Sequence, residues 1–372
     1  MSKRFLSFTW FSIVIVLYII SIIFVTNQNS QHNKRNIYNN WQTKYVVNTS
    51  EGKYINTVNN KTNGVVLSES QGYGMLISVL AGDQKESEKQ FYDLYRYYDS
   101  HRIKNTSLMS WRHIDGKKNS SHDTFNNATD GDLYIAYALI LASEKWGDHK
   151  FTYKAAAKNI LQDILKYNLN QTTNVLTVGN WANEGTKYHN LMRTSDVLPA
   201  VFDKFYDFSG NKKWQLVKKN MVDVLYRSSM DNNSGLIPDF VQITNTGMIK
   251  PFKNGKSLQL NKHDNDYYYN AFRIPYNLAE SDNRNKRETI VLNRMMAFFN
   301  SQSKITSGYK LTGEPLNKYQ SASVSAPIFY ATAKNSKWQA LHQRESFILK
   351  DKKMNHNYYD DTLLTLVLYS LK

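Results

Sequence analysis

The chain has 372 residues, enough to bury most of its apolar surface in one large domain with a short appendage. Its formal net charge of +16 comes from lysines scattered along the chain. That diffuse field suits an anionic cell envelope or lipid headgroups and disfavours a polycationic substrate. There is no zinc-ligand spacing, RNA-binding aromatic motif or basic recognition helix, so nucleic acid is not an expected partner. The absence of cysteine excludes disulfides, thiolate catalysis and cysteine metal sites.

In chain order, the first feature is an uncharged run from Phe5 to Val25, long enough to cross a hydrocarbon core of about 30 Å as a helix. Lys3 and Arg4 precede it, and the next cations after it are Lys34 and Arg35. The positive-inside bias therefore puts the N-terminus in the cytoplasm and the rest of the chain outside, in contact with the bilayer only through residues 5–25. A cleaved signal peptide, which would make the protein secreted, is the competing reading. It calls for a shorter apolar core and a small-residue cleavage site, whereas Phe24, Val25, Thr26 and Asn27 stand at the exit. Residues 26–36, rich in Asn, Gln and Ser, read as a tether, and residues 37–372 as one monomeric domain.

Beyond Ile37, apolar residues recur at helical spacing near 37–47, 72–81, 84–99, 131–146, 151–167, 196–208, 211–228, 268–280, 286–302, 322–333, 336–348 and 358–371. Gly82-Asp83, Gly147-Asp148 and Ser209-Gly210 punctuate close pairs, as in helical hairpins. Between Asp132 and Trp146, Leu133, Ile135, Ala136, Leu139, Ile140 and Ala142 form a broad apolar face, the mark of a helix buried on several sides. The fold class is therefore all-α, with long connections over 100–128, 168–192 and 229–266 that are candidates for function.

Three local patterns carry chemistry. In Ser68-Glu69-Ser70-Gln71-Gly72-Tyr73-Gly74 a carboxylate stands at a helix start beside glycines that permit close approach to a ligand. Taken alone, Glu69 is equally readable as an anion favoured by the helix dipole. In Thr129-Asp130-Gly131-Asp132 two carboxylates open the strongest helix, where one residue can serve as cap but capping does not require both aspartates. Trp111, followed by Arg112, and Trp181 lie in loops, where an indole can stack on the apolar face of a sugar ring.

These segments resemble glycoside hydrolase family 8. SESQGYGM is similar to that family's SEGQGYGM, and ATDGDLYIAYALILASEKW fits its signature. The resemblance continues through LMSWR, through Arg193 with Ser195-Asp196 and Pro199, through Tyr269-Asn270-Ala271-Phe272-Arg273-Ile274-Pro275 and through Tyr358-Tyr359-Asp360-Asp361. It implies an (α/α)6 barrel of six inner and six outer helices, and inverting, endo-acting hydrolysis of a β-linked polysaccharide such as β-1,4-glucan, mixed-linkage glucan or chitosan. Glu69 matches the general acid, Asp130 the aspartate that binds and distorts the sugar, and Trp111 a stacking residue. Tyr269 and Arg273 match residues lining the site, with Tyr73, Arg112, Asp132, Trp181, Arg193, Asp196 and Asn270 as the further candidates for substrate binding.

An inverting glycosidase needs a protonated carboxyl on one side of the bond and, about 6.5–9.5 Å away, a carboxylate that deprotonates water. Many members of the resembled family place that base where this chain has Asn270, and an amide cannot serve. One subfamily has asparagine there and a glutamate in the preceding loop, but in KSLQLNKHDNDYYYNAFR the nearest residue is Gln259. Asp264 and Asp266 are the remaining local carboxylates. Each is also readable as a turn residue of Asp-Asn-Asp.

The nine histidines show no metal-ligand spacing, and no phosphate-binding loop or serine elbow is present, so neither metal nor cofactor is expected. Two functions follow: an anchored glycanase acting outside the cell, or a glycan-binding protein on the hydrolase fold whose missing base leaves it weak in catalysis.

Overall fold

The computed structural model describes residues 16, 32–58, 63–82, 86–117, 119–148, 152–247, 249–250, 261–333, 335–349 and 357–371. Apart from Val16, the apolar run 5–25 lies outside them, as does Gln259. Among the described residues no helix is long and apolar enough to cross a membrane. The chain divides into two compact units, Met1–Lys44 and Tyr45–Lys372. In the first, helix α1 runs from residue 32, so the last residues of the expected tether are already helical. The rings of Tyr38 and Trp41 stack within it at 6.3 Å.

The second unit opens with the hairpin β1 (Val46–Thr49) and β2 (Gly52–Ile55), followed by β3 (Val65–Leu67). Then come α2 (Ser68–Leu80), α3 (Ser87–Ser100), β4 (Arg112–Ile114), the short α4 (Ser121–Phe125), α5 (Thr129–Trp146) and α6 (Tyr153–Tyr167). Next are β5 (Leu169–Asn170), β6 (Val175–Leu176), β7 (Leu191–Arg193), α7 (Pro199–Ser209), α8 (Lys213–Met230), β8 (Phe240–Ile243) and β9 (Ile249–Lys250). The chain ends with α9 (Ile274–Ala279), α10 (Lys286–Ser301), α11 (Ala322–Thr332), α12 (Gln339–Glu345) and α13 (Tyr358–Ser370).

Six of these helices form a closed ring: α2 packs on α5, α5 on α7, α7 on α9, α9 on α11, α11 on α13, and α13 back on α2. Around it α3 covers α2, α6 covers α5, α8 covers α7, α10 covers α9, and α12 covers α11. Sequence patterning follows this division. The inner helices α11 and α5 are enclosed on most sides: α11 is buried along its whole length and α5 buries Leu133, Ile135, Ala136, Leu139, Ile140 and Ala142. Outer helices carry a single apolar stripe, as with Phe91, Leu94, Tyr97 and Tyr98 of α3.

The helical stretches expected from periodicity are present, with two refinements. The 268–280 stretch begins as a 3-10 turn, Ala271–Arg273, before α9, whose first turn holds Pro275; proline fits there because no intrahelical partner exists for its missing N–H. The 336–348 stretch splits into 3-10 turns on either side of α12. The short strands escape a reading by periodicity because two to four residues are too few to show alternation. They pair as small antiparallel sheets, β1–β3 ahead of α2 and the rest in the long connections.

Candidate active site

Six inner helices begin at one end of the ring, and side chains near their N-termini meet there. Glu69 lies in the first turn of α2 and Asp130 in the first turn of α5. Asp196 ends a 3-10 turn just before α7, and Arg273 ends the turn that leads into α9. Asp360, in the first turn of α13, accepts from the Ser323 N–H at the start of α11, 2.9 Å away. Carboxylates are favoured at this end because the helix dipoles point their positive poles toward it.

Gly72 has a different role from the ligand approach expected of it, and Gly131 shares that role. A Cβ on Gly72 would lie 2.8 Å from the Cβ of Tyr134 and 3.0 Å from the Gly131 carbonyl, and one on Gly131 would overlap Ser68. They let α2 and α5 touch backbone to backbone, and that contact sets Glu69 beside Asp130.

One guanidinium joins the pieces. Arg273, 1 % exposed, sends Nη1 to Glu69 Oε1 at 2.7 Å, to Asp130 Oδ2 at 3.0 Å and to the Tyr73 hydroxyl at 3.2 Å. Its Nη2 donates to Ser195 Oγ at 2.7 Å and to Asn270 Oδ1 at 3.1 Å. Arg193 grips the other oxygen of Asp130 at 2.5 Å and lies 3.5 Å from Asp196. The hydroxyls of Tyr269 and Tyr319 share a hydrogen bond at 3.0 Å, and the Tyr269 carbonyl accepts from the Tyr359 hydroxyl at 2.7 Å.

The electrostatics divide the two carboxylates by role. Burial pushes the Glu69 pKa up, opposed by Arg273 and reinforced by the charge of Asp130. Burial acts on Asp130 in the same sense, yet Arg193 and Arg273 outweigh it and hold its pKa down to about 2. One carboxyl is thereby disposed to keep a proton beside one that stays ionised, the separation expected of an acid and its electrostatic partner. Asp196, fully enclosed, is pushed up by burial to about 7, against the pull of Arg193.

Trp111 is joined to this end through its carbonyl, which accepts from the Ser68 N–H at 3.0 Å, one residue before Glu69. Arg112 lies over its ring at 6.0 Å and pairs with Asp123 at 3.7 Å. Trp181 packs edge-to-face on Tyr188 at 5.1 Å, against a small core of Val178, Ala182, Leu191 and Phe240.

Asp132 is not a substrate ligand in this arrangement. It is wholly buried, and its two oxygens accept from the Met109 N–H at 2.8 Å and the Asn127 amide at 2.7 Å. It ties the loop that carries Trp111 to α5, and burial raises its pKa to about 8. Asp264 is 2 % exposed, and its Oδ2 accepts from the Asn261 N–H at 2.8 Å. Asp266, whose side chain is 21 % exposed, pairs with His263 Nδ1 at 2.8 Å.

A residue that sequence reasoning missed is Asp239. Buried near the start of β8, it accepts from the N–H groups of Tyr268, Asn270 and Ala271 and from the Asn270 side chain. The only available signal was a carboxylate after proline in the long 229–266 connection.

Comparison with known proteins decides what this constellation belongs to. Residues 14–371 match the family model described as Glycosyl hydrolases family 8. The chain is a family 8 glycosyl hydrolase. The hydrolase is 31% identical over 365 residues to the endoglucanase of Bacillus sp. (strain KSM-330), covering 92% of this chain and 76% of that one. It is 30% identical over 349 residues to the beta-glucanase of Niallia circulans, covering 88% and 80% respectively. The solved apo structure of the beta-1,3-1,4-glucanase from Paenibacillus sp. X4 superposes with a TM-score of 0.83 at 26% identity, over 92% of each chain. The hydrolase therefore cleaves O-glycosyl bonds, and its ring of six inner helices is the inner layer of an (α/α)6 barrel.

Proposed function

We propose that the hydrolase cleaves internal bonds of a β-linked glucan, β-1,4 or mixed-linkage, by an inverting mechanism. The observation that carries this reading is the shared arginine: Arg273 Nη1 touches both Glu69 and Asp130 at the mouth of the barrel. Support for the substrate class comes from the relatives named an endoglucanase and a beta-glucanase.

In this mechanism Glu69 donates its proton to the leaving oxygen, since burial keeps that proton in place. Asp130, ionised and held on both oxygens by arginines, binds the sugar at the cleaved bond and faces the positive charge that grows on the ring in the transition state. Trp111 supports a neighbouring sugar by stacking. Asn270 is not the base, because its Nδ2 is donated to Asp239 and its Oδ1 faces Arg273. The base is a carboxylate of the preceding turn. Asp266 is favoured over Asp264, because its side chain retains solvent contact while that of Asp264 is buried.

The reading also places the barrel outside the cell, anchored by residues 5–25. The test is incubation of the purified full chain with β-1,4-glucan, mixed-linkage glucan and chitosan. Release of reducing ends as internal fragments, abolished in Glu69→Gln, is the expected result; no release from any of the three sinks the assignment. Asp266→Ala and Asp264→Ala assign the base, and wild-type rates in both would remove this turn from the mechanism.

A further inference from the structure

We propose that Asp239 is a positioning residue for the proton donor: by holding Asn270 in one orientation it aims Arg273 at Glu69. The inference rests on Glu69 being the acid, and it concerns a residue that touches neither Glu69 nor the Arg273 guanidinium.

The relay is read from hydrogen bonds. Asp239 Oδ1 accepts from the N–H groups of Tyr268 at 3.1 Å and Ala271 at 2.8 Å. Its Oδ2 accepts from the Asn270 N–H at 3.1 Å and from Asn270 Nδ2 at 3.0 Å. Four donors converge on one buried carboxylate, which shapes the turn that launches Arg273 into the site. Because Nδ2 of Asn270 is fixed on Asp239, Oδ1 of the same amide must face the other way, where it accepts from Arg273 Nη2. An amide turned over would present N–H to a guanidinium that has only donors. Together with Ser195, the oriented amide holds Nη2 so that Nη1 reaches Glu69 and Asp130.

Around Glu69 the charged groups are Arg273, Asp130, Arg193 and Asp196, and the tyrosines Tyr73, Tyr134, Tyr358 and Tyr359 also face it. Tyr267, Tyr268 and Tyr359 face Asp239. Of the groups around Glu69, Arg273 is the largest influence favouring its ionised form. Loosening Arg273 therefore makes Glu69 hold its proton more tightly.

Asp239→Asn breaks the relay and also removes the acceptor of the Asn270 N–H. The new amide can satisfy the Tyr268 and Ala271 N–H groups with its oxygen, but its NH2 then confronts Asn270. Asn270 must turn Oδ1 toward residue 239 and Nδ2 toward Arg273, which drives the guanidinium from its place. The measurement is the titration of the Glu69 carboxyl carbon by NMR in the full-length protein labelled with 13C-glutamate, assigned with Glu69→Gln.

We expect the midpoint to rise in Asp239→Asn by about one pH unit, tenfold in proton affinity. Asn270→Ala, which removes the amide and leaves the Asp239 cap of the turn, should raise it similarly and decides the matter if Asp239→Asn does not fold. The double variant should move no further than the larger single one, because both break the same chain of contacts. An unmoved midpoint in a folded Asp239→Asn or Asn270→Ala, or shifts that add, would overturn the proposal; a purely structural Asp239 lowers stability and leaves the midpoint alone. The titration needs no substrate, so inactivity on every glucan would refute the functional reading without touching this result.

Discussion

Gly72 of α2 faces Tyr134 of α5 so closely that a Cβ on the glycine would sit 2.8 Å from the tyrosine Cβ. This approach, with its counterpart at Gly131 and Ser68, makes the two acidic motifs a single unit: the helices that carry Glu69 and Asp130 cannot separate or slide without losing the contact. Gly72→Ala should therefore lower stability by about 1–3 kcal/mol through overpacking and reduce kcat as the carboxylates part. Denaturant unfolding and initial rates on the same preparation measure both, and wild-type values in both would show the contact to be unimportant.

Glu69→Gln preserves the shape of the site and removes the transferable proton. Turnover should fall by about 10²–10⁴-fold with the melting temperature unchanged within error. Retained activity would end the assignment of the acid.

The pH profile offers a signed test of the pairing. Burial is the main reason the Glu69 pKa is raised, and the negative charge of Asp130 adds to it. Asp130→Asn removes that charge and leaves Arg193 and Arg273 to act on Glu69 alone, so the Glu69 pKa falls. The alkaline limb of kcat/KM should move to lower pH, on top of a rate loss of about a hundredfold or more. A limb that moves upward, or stays, would show that Glu69 and Asp130 are not electrostatically joined.

Asp132 gives a prediction about stability. Its pKa in the folded protein is raised to about 8 by burial, whereas an unfolded aspartate titrates near about 4. Between those values the folded state holds the extra proton, so its contribution is complete below about pH 4 and is lost as the pH rises toward about 8. Asp132→Asn, which cannot ionise, should show a shallower decline of unfolding free energy across that window. Parallel slopes for variant and wild type would contradict the assignment.

Trp111→Ala should raise KM about fivefold, the loss of roughly 1 kcal/mol of stacking, while kcat stays within about twofold. A change confined to kcat would place the indole in the chemistry instead of in binding.

Much of this molecule was readable from its residues because the barrel repeats one device. A helix enclosed on all sides, such as α5, shows a broad apolar face, and its outer partner shows a stripe, so the alternation of layers is visible in patterning alone. Glu69, Asp130 and Arg273 could be named because local motifs surround them, and the structure joins all three. What failed has a common physical origin in contacts between residues distant in sequence. Gly72 reads as room for a ligand, although the neighbour that fills that room is α5. Asp132 was grouped with Asp130 on proximity in the chain, yet successive turn positions point apart, and Asp132 faces the interior and the Met109 N–H. Asp239 could not be found because its four donors, on three residues, lie about thirty residues further along, at 268–271.

Arg273 has a consequence for how the protein becomes an enzyme at all. Its single side chain reaches the openings of α2, α5 and α7 from the turn before α9, across sequence separations of 204, 143 and 78 residues. Until the ring has closed around that guanidinium, Glu69 lacks both the burial that raises its pKa and the arginine that opposes the rise. Assembly of the last inner helices thus completes the surroundings of the acid, and a chain whose ring is still open carries Glu69 and Asp130 without the arginine that joins them.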